Sequence, residues 1–287
     1  MTPAARIVLQ GRFLADRLVH AVAALAGASG PICVSAGQVR IGGIGARPGA
    51  AVRAHMQRMC EDARADVALI DAPRRLARYR LAAMDMDSTL ITIECIDEMA
   101  DLHGAGPAVA AITVAAMRGE IDFPESLRRR VSILRGLPAA TLKRVYLERL
   151  RLSPGAEVML DAFRAAGLKT LLVSGGFTYF TERLKDRLGI DFTCANTLDV
   201  NAGLLTGRVI GEIVDANVKR RELLAACNRL GVPPSDAIAI GDGANDLAMM
   251  GAAGVSIAYR AKPVVRARAT YAISHNGLGA VLPLFDA

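Results

Sequence analysis

Residues 82 to 91 read AAMDMDSTLI, an apolar run that ends in two aspartates one residue apart. Asp85 and Asp87 at such a point repel one another and lose water on burial, a cost that a bound cation or a substrate would offset. The run itself, RLAAMD at 80 to 85, is short and apolar on both faces, as a parallel strand covered by helices is. The same pattern returns at LKTLLVS (168–174), AIAIGD (237–242) and GVSIAY (254–259). Helical stretches fall between them: TYFTERLKDRLG stops at Gly189 and VKRRELLAACNRLG at Gly231, each glycine standing where a helix ends. This alternation predicts an α/β fold, a doubly wound Rossmann-like parallel sheet.

About eighty residues separate the first of these strands from the second, and their pattern is mostly helical. They include IDEMADLHGAGPAVAAITVAAMRG, FPESLRRRVSILRGL and AATLKRVYLERLRL. An insertion of that size is too long for a loop and predicts a helical cap over the strand ends, at about 95–160. TLDVNAGLLTGRVIG at 197 to 211 reads as a β-hairpin turning at Asn201 to Gly203. Ahead of the core, residues 6 to 72 give strand RIVLQ, a helix near 14 to 26, strands PICVSA and QVRIGGI, a helix near 49 to 63, and strand DVALIDA. That βαββαβ order is ferredoxin-like, so the expected domains are a small α+β unit over 1–75 and the capped core over 76–287.

Composition narrows the functional classes. A chain of 287 residues, 52% hydrophobic and 22% charged, belongs with globular proteins of about two domains. Its formal charge is +7, yet only 4% of residues are aromatic and there is no Trp. The densest basic run, SLRRRVSILR at 126 to 135, lacks interleaved stacking residues, which favours a solvated helix face over a nucleic-acid surface. A modest positive field still attracts a small anion. The five cysteines are scattered without a C-x-x-C, as reduced thiols of a cytoplasmic protein are, and the four dispersed histidines predict no zinc cluster. No apolar stretch is long enough for a membrane span, and the N-terminus has no secretory h-region.

Ligands of open parallel sheets sit beyond the carboxyl ends of the strands. Here those ends bring Asp85 and Asp87; Ser174 with Gly175 and Gly176; and Asp242, Asn245 and Asp246 in GDGAND, with Lys219 just inside the intervening helix. Carboxylates from neighbouring strands make a hard oxygen site suited to Mg²⁺, which also takes a phosphate oxygen. With the charge partly neutralised, Asp85 can act as nucleophile and form an aspartyl-phosphate. Ser174 and the glycine turn can hold phosphate oxygens, and Lys219 adds fixed positive charge against the transition state. Asp87 can protonate the leaving alkoxide and then deprotonate the hydrolytic water.

In this order, DMDST at 85 to 89, SGG at 174 to 176, Lys219 and GDGAND at 241 to 246 resemble the four motifs of the haloacid dehalogenase superfamily of aspartate-nucleophile phosphatases. With Glu94 in ITIECIDEMA, MRGEIDFPESLRRRV at 117 to 131, VSGGF and DANVK, the likeness is closest to its phosphoserine phosphatase branch and covers about residues 80 to 285. The resemblance implies a Mg²⁺ site of Asp85, Asp242 and the backbone carbonyl of Asp87, supported by Asp246, with Asn245 near the phosphate. It further implies Glu94 against the ammonium and Arg130 against the carboxylate of O-phosphoserine, with Met117 and Phe123 closing the pocket. A zwitterion needs one anion and one cation held apart, and Arg grips a carboxylate in a bidentate way. The leading unit resembles an ACT-type module by topology alone, and a homodimer through it is an expectation. Two rivals stay open: a relative acting on another small phosphate ester or passing phosphate to another acceptor, and a non-enzymatic amino-acid sensor.

Overall fold

Two sheets organise the chain, which a computed structural model describes over residues 5–35 and 37–286. The first comprises β1 (Ala5–Gln10), α1 (Asp16–Leu25), β2 (Ile32–Ser35), β3 (Gln38–Ile44), α2 (Ala50–Asp62) and β4 (Asp66–Ile70). Its strands are antiparallel in the order β2-β3-β1-β4, the ferredoxin-like arrangement expected from the βαββαβ pattern. Alternation along β1 covers both faces. Ile7 and Leu9 pack with Leu18, Val22, Met56 and Cys60 of the two helices, while Val8 turns the other way and joins Ala68, Ile70 and Tyr79 in the main core. Asp66 fastens this contact: its buried carboxylate accepts hydrogen bonds from the backbone N–H of Ser274 at 2.7 Å and of Asn276 at 3.1 Å, and from Asn276 Nδ2 at 2.7 Å. Gln10 Nε2 donates to the Ala280 carbonyl at 3.0 Å, and Arg6 pairs with Asp286 at 2.8 Å.

The second sheet holds β5 (Leu81–Met84), β6 (Lys169–Phe177), β7 (Phe192–Asn201), β8 (Leu204–Ile210), β9 (Ala237–Gly241), β10 (Val255–Tyr259) and β11 (Tyr271–Ile273). Seven strands lie in the order β11-β10-β9-β5-β6-β7-β8, so β5 occupies the middle. Between β5 and β6 run α3 (Cys95–Leu102), α4 (Gly106–Met117), α5 (Phe123–Ile133), α6 (Ala140–Arg144) and α7 (Ala156–Ala165). After β6 come α8 (Thr178–Leu188), α9 (Ala216–Leu230), α10 (Leu247–Ala252) and α11 (Pro263–Arg266). Met84, Leu172, Ile238 and Ile240 face one layer of helices; Leu81, Ala83, Leu171 and Ala239 face the other, against Val218, Leu223 and Met249. Burial on both sides is why these strands read as unbroken apolar runs.

Several details go beyond the sequence expectation. The sheet is parallel from β11 to β7 but closes with β8 antiparallel to β7, because the predicted hairpin is the edge of the main sheet. Its first arm starts at Phe192, earlier than the hairpin pattern suggested, and β11 is only three residues long. The helical stretch from Ile96 divides into α3 and α4, where Gly104 takes a left-handed φ of +72° and Pro107 restarts the helix in its first turn. No helix among the described residues is long and apolar enough to cross a membrane.

Candidate active site

Parallel pairing of β5 with β9 matches Met84 with Ile240, and the Asp85 N–H continues the ladder by donating to the Ile240 carbonyl at 3.0 Å. Asp85 is therefore level with Gly241, and Asp242 follows directly at the same carboxyl edge. Asp85, Asp242 and Asp246 each offer a carboxylate oxygen within 4.8 Å of the others. Lys219, fully buried in the first turns of α9, reaches in from the side: its Nζ is 2.7 Å from Asp85 Oδ2 and 2.7 Å from Asp246 Oδ1. The start of α9 is fixed by Asp215, whose carboxylate accepts from the N–H groups of Asn217 and Val218, both at 2.9 Å.

Each carboxylate is oriented by a neighbour. Asp85 Oδ1 accepts from the Met86 N–H at 2.7 Å, Asp242 Oδ1 from the Thr89 hydroxyl at 2.9 Å, and Asp246 Oδ2 from the N–H groups of Asp242 and Gly243. Burial, followed by the like charges of Asp246 and Asp242, pushes the Asp85 carboxyl well above its ordinary range. Burial and Asp246 raise Asp242 to about 6. Burial alone would discharge Lys219, but the two carboxylates outweigh it and hold the ammonium ionised.

Asp87 lies apart from that cluster. Ser88 adopts a left-handed φ of +57°, turning the chain so that Asp87 Oδ1 accepts from the Cys95 N–H at 3.2 Å. Its Oδ2 lies against Gly176, where a Cβ would fall 2.5 Å from the oxygen, so the second glycine of SGGF makes room for the acid. Burial and the nearby Glu94 charge raise Asp87 to about 7. The preceding Gly175 admits the cap in the same way: a Cβ there would meet the Phe123 ring at 2.7 Å. Ser174 Oγ accepts from the Gly176 N–H at 2.8 Å, so that N–H is already engaged and does not face an incoming anion as the sequence suggested.

One cavity of about 720 Å³ joins these groups to the cap. Asp85, Asp87, Ser174, Gly175, Asp242 and Asn245 line its floor; Glu94, Met117, Phe123 and Arg130 line its roof and sides. Glu94 accepts from Ser88 Oγ at 2.7 Å, and withdrawal from water inside the cavity raises its carboxyl. Arg130 makes no ion pair among the described residues, although Asp97, Glu94 and Asp87 lie near enough to favour its charge. Met117 stands at the rim, 65% exposed. Every residue singled out from the sequence is thus in this one place, Lys219 and Asp246 lying just beneath the floor.

Comparison with known proteins agrees with this arrangement. The family model of the haloacid dehalogenase-like hydrolases matches residues 79–254. A protein of Polaromonas sp. named phosphoserine phosphatase is 56% identical over 215 residues, covering 73% of this chain and 91% of that protein. The chain belongs to the haloacid dehalogenase-like hydrolases. Among solved structures, the unliganded probable phosphoserine phosphatase from Vibrio cholerae superimposes with a TM-score of 0.82 at 38% identity, over 98% of this chain and 86% of that one. A structure described as a phospho-aspartyl intermediate analogue of phosphoserine phosphatase gives a TM-score of 0.69 at 37% identity, over 72% of this chain and 99% of that one.

Members of this hydrolase family generally need a divalent metal, and the donor set here fits one. Three carboxylates and one ammonium leave two negative charges on hard oxygen ligands when all are ionised. Sequence reasoning missed several residues that hold this site. Asn196, buried within β7, donates to the Gly175 and Gly176 carbonyls and accepts from the Val214 N–H, tying the glycine turn to the entry of α9. An Asn inside the strand-like FTCANT was its only signal. Asp97, Thr113, Ser126, Asp215 and Lys262 also line the cavity.

Proposed function

We propose that this hydrolase cleaves O-phospho-L-serine to L-serine and phosphate, with Asp85 as nucleophile and Mg²⁺ as its metal. The observation that carries the proposal is one cavity with a phosphoryl-transfer floor and, on its cap side, an acid and an unpaired guanidinium, Glu94 and Arg130. A zwitterionic alcohol moiety needs that pair, and a plain phosphate ester does not. The high identity to proteins named phosphoserine phosphatase points the same way.

Asp85 and Asp242, with the Asp87 carbonyl, would hold the metal, supported by Asp246; when bound it supplies positive charge against the phosphoryl oxygens. Lys219 and the Met86 N–H fix the two Asp85 oxygens, presenting the carboxylate to phosphorus while Lys219 adds charge to the site. As the Asp85 oxygen bonds to phosphorus, the bond from phosphorus to the serine oxygen breaks. Asp87, whose carboxyl burial and the Glu94 charge raise to about 7, gives that oxygen its proton. The resulting carboxylate takes a proton from water as the water attacks the aspartyl-phosphate, releasing phosphate and restoring Asp85. Glu94 holds the substrate ammonium and Arg130 its carboxylate.

Rapid acid quench of the active protein with ³²P-labelled phosphoserine tests this. Label should appear on the peptide carrying Asp85, and Asp85→Asn should lose both label and turnover. Label on a different peptide, or steady turnover by the Asn variant, would overturn the assignment.

A further inference from the structure

We propose that the Ser126 hydroxyl is a substrate-binding group, donating a hydrogen bond to the substrate carboxylate beside Arg130; this rests on the phosphoserine reading above. Phe123, Ser126, Leu127 and Arg130 repeat at helical spacing along one face of α5, and all four line the cavity. Ser126 is 1% exposed, and its Oγ has no hydrogen-bond partner among the described residues.

That orphan hydroxyl is unexplained by the helix. The Ser126 N–H already donates to the Asp122 carbonyl at 2.9 Å, while Asp122 Oδ1 caps the helix by accepting from the Glu125 N–H. A serine inside a helix commonly bonds back to the carbonyl one turn earlier, and this one does not. Packing alone would be served equally by alanine, without leaving a polar atom dry.

Arg130 shows where the missing partner belongs. Its Nε donates to the Ser126 carbonyl at 3.4 Å, drawing the guanidinium back toward Ser126 while leaving its Nη groups without a carboxylate partner. A carboxylate gripped by those groups keeps lone pairs free for one more donor, and the Ser126 O–H is the neutral donor at hand. Lying on one turn of α5, the two residues would form a single carboxylate receptor.

The test compares O-phospho-L-serine with O-phosphoethanolamine, which keeps the ammonium and lacks the carboxylate. Ser126→Ala should raise KM for phosphoserine about tenfold, equivalent to about 1.4 kcal/mol, with kcat nearly unchanged. The same variant should leave phosphoethanolamine kinetics within about twofold and the melting temperature equal or higher, since a buried unpaired hydroxyl is gone. Equal losses on both substrates, or no loss on phosphoserine, would overturn the role of Ser126. If the unaltered enzyme itself fails to prefer phosphoserine, the substrate assignment falls first and takes this inference with it. A wild-type preference that Ser126→Ala leaves untouched removes Ser126 alone.

Discussion

Replacing Asp242 by Asn should make the metal-free protein more stable at neutral pH while destroying its activity. Burial and the adjacent Asp246 raise the Asp242 carboxyl to about 6, against about 3.9 in an unfolded chain. The sign follows from proton counting. Between those two values the folded state keeps a proton that the unfolded state has released, so stability falls as pH rises and the loss is complete above about pH 6. A shift of roughly two units at 1.36 kcal/mol each amounts to about 3 kcal/mol. Asn has the same shape, still offers an oxygen to the Thr89 hydroxyl and cannot ionise, so it escapes this cost.

Thermal unfolding in chelator at about pH 4.5 and about pH 7.5 reads the effect. The variant should melt only slightly higher than the wild type at the acid value, where about a third of the loss has accrued, and roughly 5 to 10 °C higher at the neutral one. Adding magnesium should reverse the order at neutral pH, since only the wild type has the full carboxylate set to bind it. A variant equally or less stable at both pH values in chelator would refute the reasoning: the strain at Asp242 would then not come from crowded, buried negative charge.

Two further outcomes follow from the cavity walls. Arg130→Ala should lower kcat/KM for phosphoserine by about a hundredfold, the worth of a lost charged hydrogen-bond pair, while changing phosphoethanolamine turnover by less than about threefold; equal losses would mean that Arg130 only props the cap. Gly176→Ala places a methyl 2.5 Å from Asp87 Oδ2 and 2.8 Å from Met86 Cε, so the acid must move. Steady-state kinetics should show kcat falling by about a hundredfold with KM less affected, whereas an unchanged kcat would show that the position of Asp87 against β6 is not needed.

Much of this site was legible because chemistry sits where regular structure stops. The runs before Asp85, Ser174 and Asp242 are apolar on both faces, so polar residues at their ends stand out, and parallel pairing then guarantees that those ends meet. Lys219 was legible only through its order among the motifs, since nothing local distinguishes it from a surface lysine in a polar helix start. Asn196 and Ser126 were not legible. The first acts by holding two carbonyls brought close by a neighbouring strand, and the second is one serine in a helix crowded with arginines. The separation of the carboxylates was also hidden. The spacing of Asp85 and Asp87 gives no hint of how far their side chains diverge, Asp85 meeting Asp242 and Asp246 while Asp87 bonds to the Cys95 N–H.

That separation explains why the chain carries two aspartates where its central strand ends. Asp85 continues the extended backbone of β5 and meets Lys219; Ser88, held at φ +57°, turns the next acid toward the N-terminus of α3 and the glycine gap in β6. Two chemically identical groups thereby receive opposite surroundings. Asp85 is placed where a fixed ammonium and a metal can keep it ionised, the form a nucleophile needs. Asp87 faces Glu94 and the cap with no cation in contact among the described residues and titrates at about 7, which suits the proposed role of giving and taking a proton in one cycle. Exchange of either environment would leave two aspartates of the same kind: both ionised, with no acid for the leaving oxygen, or both protonated, with no nucleophile. In the proposed reaction the left-handed turn at Ser88 would therefore matter as much as the carboxylates it divides.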